Sequence, residues 1–223
     1  MQHLREELDE LNNRLLEMSA LVEDSINRSV KAVVDRDSQA ALVVFENETR
    51  INQLEIQIDN IAIRLLALQQ PMAVDLRFVT MSIKINNNLE RMGDIAVNIG
   101  QCAVSLLSMP PLKPQVDIPY MAKLAQDMIR SSIDAFIRKD AALARMVLQS
   151  DDAVDNMRDD MYTEIVKFME EDPRRIHPGL EYLFVARGLE RLADHATNIA
   201  EDVVFFVQGI DVRHHAEKIQ EQP

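Results

Sequence analysis

The sequence predicts an all-α protein built from two tandem three-helix bundles, with six long antiparallel helices related by an internal repeat. LERMGDIAVNI at residues 89–99 recurs as LERLADHATNI at residues 189–199, with seven of eleven positions identical. A fixed internal period indicates a repeated structural unit. Apolar residues make up 47% of the chain but aromatic residues only 4%, whereas sheets favour aromatic and β-branched residues. Apolar side chains also recur at alternating spacings of three and four, as in long helices packed side by side.

The first bundle is predicted over residues 1–108, and its helices are separated by a polar break and a proline. In the break, Asp-Arg-Asp-Ser at residues 35–38, Ser38 is the expected N-cap of the second helix. Pro71 ends that helix, because an internal proline removes a backbone hydrogen bond and clashes with the preceding turn. The predicted helices are residues 5–34, 39–69 and 74–107.

A linker is predicted at residues 109–119, because its four prolines do not allow a continuous helix. The second bundle is predicted over residues 120–223 and ends in a polar tail. Pro173 and Pro178 interrupt its helical pattern. Since the loops are short, neighbouring helices are expected to be antiparallel. The predicted helices are residues 120–138, 141–171 and 180–208.

Composition and charge exclude several classes of function. The formal net charge of -13 argues against binding to nucleic acid, whose phosphates are neutralised by Lys and Arg, and against direct docking on anionic lipid. Cys102 is the single cysteine, so no disulfide framework is possible, which is consistent with a reducing cytoplasm. No apolar run is long enough to span a membrane, and no signal segment is recognised at the N-terminus. We therefore expect a cytoplasmic protein that reaches a membrane only through a partner.

Acidic residues recur at equivalent positions in the two halves, and packing alone does not require this. Glu90 and Asp94 are four residues apart, so on a helix they share one face. The repeat places Glu190 and Asp194 in the same relation. Both pairs flank the apolar stripe of the third helix of their half.

The second helix of each half carries a matching pair. An offset of 103 residues relates Glu48 and Asn52 to Asp151 and Asp155. Hairpins that turn at the interhelical prolines place each pair level with the acidic pair on the following helix, so Glu48 is expected opposite Asp94. Adjacent helix axes lie roughly 8–10 Å apart, close enough for side chains of both helices to meet one ion.

Two interpretations of these acids are open, a metal site and a solvated acidic face. Two charges ~6 Å apart repel by roughly 0.7 kcal/mol in water and by roughly 3 kcal/mol at an effective dielectric near 20. The duplication therefore favours a metal. Oxygen ligands suit hard cations such as Mg²⁺, Mn²⁺ or Ca²⁺, and Fe and Zn are left open. The candidate ligands are Glu48, Glu90, Asp94, Asp151, Asp155, Glu190 and Asp194.

Three further polar residues near these acids have two interpretations each. His195 offers a nitrogen ligand, but its repeat counterpart is Ile95, which favours an ordinary helix position. Arg91 and Arg191 offer anion sites, for phosphate among others. Ion pairing with nearby acids is the expected role for both arginines.

Three motifs together resemble the PhoU family of bacterial phosphate-signalling regulators. They are Leu-Glu-Arg-Met-Gly-Asp at residues 89–94, Leu-Glu-Arg-Leu-Ala-Asp at 189–194, and Gln-Pro-Met-Ala-Val-Asp-Leu-Arg at 70–77. The resemblance covers nearly the whole chain. The sequence departs from the family pattern at two positions. Asn52 leaves the first half one carboxylate short, and Gly93 is replaced by Ala193 in the second copy.

The resemblance implies a function beyond what the residues show by themselves. Members of the family repress the phosphate-starvation response when phosphate is plentiful. They are thought to couple a phosphate ABC transporter, through its ATPase, to a sensor histidine kinase. They are often homodimers, and some bind metal clusters through Glu/Asp-x-x-x-Asp motifs. Those motifs map here onto Glu90/Asp94, Glu190/Asp194 and Asp151/Asp155.

Three classes of function follow for comparison. The leading one is a non-enzymatic negative regulator with metal on its acidic faces. The second class is an enzyme, namely a di-iron oxidase in a helical bundle. Such an oxidase needs Glu-x-x-His on two helices, and no His in this chain has a Glu three residues before it. No nucleophile–base pair or Gly-rich phosphate loop is evident either. The third class is a regulator of a different phosphate transporter, or a structural helical module without metal.

Overall fold

Six long helices account for most of the structure, a computed structural model that describes residues 2–209 and Val212. They confirm the predicted all-α fold class, and no strand occurs among the described residues. The predicted polar tail, with His214 and His215, lies outside them. In chain order the helices are α1 (Gln2–Asp35), α2 (Ser38–Arg64), α3 (Val74–Leu107), α4 (Ile118–Arg138), α5 (Ala141–Glu170) and α6 (Ile176–Gln208).

The first helix of each half ends in the same way. Arg36 and Lys139, 103 residues apart, both adopt a left-handed conformation, with φ of 55° and 54°. The next residue in each case is an aspartate that caps the following helix: Asp37 accepts from two backbone amides of α2, and Asp140 from two of α5. The prediction that Ser38 is the N-cap was wrong, because Ser38 is already the first residue of α2 and the Asp37 carboxylate takes the orphan amides.

Proline placement accounts for the early starts of α4 and α6. α4 begins at Ile118 with Pro119 in its first turn, and α6 begins at Ile176 with Pro178 in its first turn. The first-turn amides have no intrahelical partner, so proline is tolerated there. Both helices therefore start earlier than predicted. α2 continues as a π-helical turn, Leu65–Gln69, and a 3₁₀ turn, Pro173–Arg175, precedes α6.

The two bundles, α1–α2–α3 and α4–α5–α6, pack against each other through α3 with α6 and α1 with α4. α3 and α6 run antiparallel. Asn88 lies beside His195, with 2.9 Å between the amide oxygen and Nδ1. A Cβ added at Gly188 would lie 3.5 Å from Cγ2 of Ile95. Because residues 88 and 95 correspond to 188 and 195 in the repeat, these two contacts are related by a pseudo-twofold axis through the α3–α6 seam.

One hydrophobic core runs through both bundles. Phe136 of α4 is 1% exposed, and its ring stacks on Phe78 of α3 at 5.1 Å between centroids. The ring of Phe206 of α6 lies 6.4 Å from it on another side. The core of the second bundle is thus joined to the first without a polar layer between them. None of the helices in the described part of the chain combines the length and hydropathy needed to cross a membrane.

Candidate functional site

The structure brings four of the predicted acids together on α5 and α6. Asp151 and Asp155 lie on α5, Glu190 and Asp194 on α6, and we call these four the α5–α6 acidic face. Partial burial raises the pKa of Asp151 to about 6, with further contributions from the charges of the other three acids and Asp152. Partial burial also raises the pKa of Asp194, and Glu190 and Asp155 raise it further. Negative charge is therefore concentrated where water screens it incompletely.

Arg158 on α5 supplies positive charge at the edge of this face. Its Nη1 donates to Oε1 of Glu190 at 2.6 Å and lies 3.2 Å from Oδ1 of Asp155. Its Nη2 lies 3.0 Å from Oδ1 of Asp159. Arg158 thus offsets part of the repulsion and restrains Glu190, while Asp151 has no basic residue among the causes of its pKa shift.

The first half carries a related but different set, Glu55 on α2 with Glu90 and Asp94 on α3, here called the α2–α3 acidic face. Partial burial and the charge of Asp94 raise the pKa of Glu90, and Glu55 adds to this effect. The Arg91 guanidinium lies 3.5 Å from Glu90 and 3.8 Å from Asp94 and lowers the pKa of Glu90 in opposition.

The α2–α3 hairpin places Gly93 near Ile51. A turn centred on Pro71 would place Gly93 level with Thr49, and a Cβ added at Gly93 would lie 3.1 Å from Cδ1 of Ile51, two residues further along α2. Glu55 is the α2 acid whose charge acts on Glu90. The expected pairing of Glu48 with Asp94 stays a prediction.

A buried amide lies at the same interface. Asn86 of α3 is 1% exposed, and its Nδ2 donates to the backbone oxygen of Glu55 and to Oδ1 of Asp59, both at 3.0 Å. Its own Oδ1 is buried without a hydrogen-bond partner. Such an orphaned acceptor is costly, so this part of the α2–α3 interface has an oxygen available to a cation or a donor.

The histidine and the repeated arginines have different partners in the structure. His195 is half-buried and faces Asn88 across the α3–α6 seam. Burial lowers its pKa, and Arg191 and Arg91 lower it further. Arg91 makes the expected ion pairs with Glu90 and Asp94. Arg191 makes none among the described residues, although its charge lowers the pKa of the following Asp194.

The donor chemistry of both faces fits a hard cation, since the available ligands are carboxylate and amide oxygens. The spacing is not that of a preformed site: no three His, Cys, Asp or Glu side chains in the described part of the chain are placed to hold a metal ion. On the α5–α6 acidic face, Arg158 already neutralises Glu190 and Asp155. If a metal binds there, Asp151, Asp155, Glu190 and Asp194 are the residues that would hold it.

Sequence reasoning missed three residues that decide the electrostatics, namely Glu55, Asn86 and Arg158. The signal for two of them is present in the repeat, because Glu55 and Arg158 are 103 residues apart and occupy equivalent positions. Following that offset through the whole of the second helix would have shown an acid in one half and a base in the other. Asn86 has no such signal, since its counterpart is Ala186.

The PhoU domain matches this chain twice, over residues 15–103 and 118–203. These two matches fall on the two bundles. The chain belongs to the PhoU family. An accessory protein of the phosphate-specific transport system, a PhoU homologue of Pseudomonas aeruginosa, is 40% identical over 96% of this chain and 88% of its own length. A homologue of the same description in Aquifex aeolicus is 38% identical over 95% of this chain and 96% of its own length.

Solved structures of the PhoU family share the whole fold. The crystal structure of PhoU from Pseudomonas aeruginosa superposes with a TM-score of 0.87 at 39% identity, covering 92% of this chain and 99% of the other. A phosphate transport system regulatory protein PhoU from Streptococcus pneumoniae gives a TM-score of 0.85 at 29% identity, covering 94% and 99%. The similarity therefore extends over both bundles and their pairing.

Proposed function

We propose that this protein is an accessory protein of a phosphate-specific transport system and a negative regulator of the phosphate-starvation response. The observation that carries the proposal is the similarity to the Pseudomonas aeruginosa accessory protein, which extends over 96% of the chain. Similarity over both bundles and their seam is more than a shared helical architecture, which alone would say nothing about function.

In the finer form of the proposal, the protein is a cytoplasmic adaptor without catalytic activity. It binds the transporter ATPase and a sensor histidine kinase through its helical surfaces. To repress, it must bind the inactive or phosphatase state of the kinase more tightly than the active state, because a partner with equal affinity for two states shifts neither. We further propose that it acts as a homodimer.

The first experiment deletes the gene in the source organism and measures alkaline phosphatase in phosphate-rich medium. The proposal requires high activity in the deletion strain and low activity after complementation with the wild-type gene. Unchanged low activity in the deletion strain would contradict a repressor role and favour an accessory function at a different transporter.

The second experiment tests the adaptor mechanism with purified components. Adding the protein to the sensor kinase should lower net autophosphorylation or raise phosphatase activity. Rates that ignore the added protein would exclude direct coupling. Light scattering during size-exclusion chromatography tests the dimer, and a mass of 25.5 kDa at working concentration would refute it.

We also propose that the acidic faces bind divalent cations. A cation would supply the positive charge that Asp151 lacks and would add to the charges of Arg158 and Arg191 near Asp194. Elemental analysis and calorimetry with Mn²⁺ and Mg²⁺ should show uptake by the wild type and a clear loss in Asp151→Asn with Asp194→Asn. Asp160→Asn, an exposed aspartate of α5, is the matched control and should leave uptake unchanged. Equal metal content in all three proteins would leave the face as a solvated acidic surface.

A further inference from the structure

A surface cavity of about 520 Å³ opens along the α3–α6 seam. Ser105 and Cys102 contribute to it from α3, and Glu181, Arg187 and Arg191 from α6. Small-molecule sites commonly have volumes of roughly 300–1,000 Å³, so this cavity is of suitable size. Of these five residues, only Arg191 also acts on an acidic face, where its charge lowers the pKa of Asp194.

The pseudo-twofold axis provides an internal comparison for this cavity. At the equivalent place on the other side of the seam, Nζ of Lys84 donates to Oδ1 of Asp202 at 2.8 Å. In the cavity the corresponding residues are Phe184 and Cys102, which form no such bridge. An aromatic ring and a thiol therefore stand on the cavity side where the other side of the seam has an ion pair.

A second polar contact is missing on the cavity side. Across the axis, the side chains of Asn88 and His195 meet at 2.9 Å. Their equivalents here are Gly188 and Ile95, and both line the cavity. Gly188 carries no polar side chain, and Ile99 packs against its backbone, with Cγ1 3.0 Å from where a Cβ would lie. The opening therefore follows from particular residues rather than from the helix packing shared by both halves.

Two arginines give the cavity positive charge. Arg187 and Arg191 are four residues apart on α6, so their side chains share one face of the helix. Both are exposed, and neither makes a hydrogen bond or an ion pair within the described residues. In a chain with 37 acidic residues, two neighbouring guanidinium groups that make no ion pair among the described residues favour an anionic ligand. Guanidinium groups are well suited to phosphate oxygens, which they bind in bidentate fashion.

A hydrogen-bond acceptor lies at the other end of the cavity. Oε1 of Glu181 accepts a hydrogen bond from Oγ of Ser105 at 2.6 Å. Burial, together with Glu181, raises the pKa of Cys102 to about 12, so the thiol stays protonated and adds no negative charge to the cavity. An ionised carboxylate accepts but cannot donate hydrogen bonds. Glu181 therefore favours a ligand that carries its own O–H or N–H donor.

We propose that this cavity binds a phosphate group that is accompanied by a hydrogen-bond donor, with the phosphate oxygens on Arg187 and Arg191 and the donor on Glu181. Hydrogen phosphate meets both requirements at neutral pH, since it retains a proton. A phosphate monoester with hydroxyl or amino groups, such as a nucleoside monophosphate, meets them too and fills more of the volume. Sulfate has no proton at neutral pH and would face Glu181 with an acceptor.

Isothermal calorimetry on the purified full-length protein, at constant ionic strength and with metal removed by chelator, tests the proposal. The probes are inorganic phosphate, AMP and sulfate. We expect saturable binding of phosphate, AMP or both, and at least about tenfold weaker binding of sulfate. Tighter binding of phosphate would identify the free ion as the ligand, and tighter binding of AMP would identify a monoester. No saturable binding of either would overturn the proposal.

Variants locate the site. Arg187→Gln and Arg191→Gln should each weaken binding by at least about tenfold, whereas Arg50→Gln, an exposed arginine of α2 away from the cavity, should not. Glu181→Gln should narrow the preference for phosphate over sulfate.

Phe184→Lys with Cys102→Asp rebuilds the ion pair of the other side and should abolish binding. Circular dichroism checks the fold, and the single arginine variants decide the outcome if the double variant is unfolded. Equal affinity in wild type and both arginine variants would overturn the assignment.

The role of such a ligand as a signal rests on the proposed regulatory function, but its binding does not. Loss of repression in the deletion strain together with absent phosphate binding would support the regulatory function and refute the binding site. Binding that depends on Arg187 and Arg191, with no effect of the deletion, would support the binding site and refute the regulatory function. The two failures are therefore distinguishable.

Discussion

On the α5–α6 acidic face, single side chains meet two opposing electrostatic effects. Asp151 is partly buried beside other acids and has a raised pKa, whereas Glu190 accepts a charge-assisted hydrogen bond from Arg158. The sequence shows that the acids recur but cannot show which of them receives the arginine, because Arg158 and its repeat counterpart Glu55 have opposite charges. Only the packed helices decide which acids are neutralised.

Asp151→Asn is expected to stabilise the protein at neutral pH. The pKa of Asp151 is raised from 3.8 to about 6, so its charge disfavours the folded state above pH 6. This penalty shrinks as the pH falls through 6 and is lost only below 3.8, where the carboxyl becomes neutral in the unfolded state as well. Because Asp151 is partly exposed and screened by solvent, the gain should be less than about 1 kcal/mol. Thermal unfolding in EDTA between pH 3 and pH 8 measures it, and a gain at pH 3 as large as at pH 8 would contradict the electrostatic cause.

Arg158→Gln is expected to destabilise the protein by roughly 1 kcal/mol at pH 8, because Glu190 and Asp155 lose their counter-charge. A double-mutant cycle with Glu190→Gln, which removes the carboxylate that Arg158 hydrogen-bonds, tests the coupling. Urea unfolding of the four proteins should show a smaller loss for Arg158→Gln in the Glu190→Gln background. Additive losses would show that the two groups do not interact.

At the scale of helices and turns, the repeat controls how elements begin and end. Left-handed Arg36 and Lys139 are each followed by a capping aspartate, Asp37 and Asp140. The existence of all six helices could be predicted from proline positions, the polar break at residues 35–38 and apolar spacing. Their first residues could not, because Pro178 is a helix breaker in an interior and a favoured residue in a first turn. Sequence spacing alone does not distinguish these positions.

Asp140→Ala is expected to cost about 1 kcal/mol, the usual loss for an N-cap. The Asp140 carboxylate accepts from the backbone amides of Ala142 and Leu143 at 2.9 and 3.0 Å, and alanine leaves both without a partner. Asp160→Ala, in the interior of the same helix, removes no cap and should change stability little. Urea denaturation measures both. A loss for Asp140→Ala no larger than for Asp160→Ala would show that water replaces the cap.

At the scale of the whole molecule, the seam between the bundles explains what could not be predicted. The repeat shows which residues are equivalent but not which of them touch, so the α3–α6 pairing became visible only in the structure. Contacts across the pseudo-twofold axis differ: Lys84 pairs with Asp202, whereas Phe184 and Cys102 border a cavity. The two repeats therefore place different side-chain chemistry on the two sides of one seam.

The continuous core predicts that the two bundles unfold together. Phe136 is buried where α3, α4 and α6 meet, with Phe78 and Phe206 around it. Phe136→Ala should cost roughly 3–5 kcal/mol, the usual loss for a buried phenylalanine. Because the ring belongs to the packing of both bundles, protection of backbone amides should fall equally in α2 and α5, on opposite sides of the molecule.

Hydrogen exchange with mass spectrometry measures that protection helix by helix, alongside urea denaturation for the global loss. The control is Phe205→Ala, since Phe205 precedes Phe206 in α6 and is 47% exposed. The loss of stability in this variant should be small. If Phe136→Ala lowered protection in α5 while α2 kept its wild-type value, the bundles would be independent units joined at a surface. Equal loss in both would show that the seam makes the two repeats one cooperative structure, so that a ligand bound at the seam stabilises both acidic faces together.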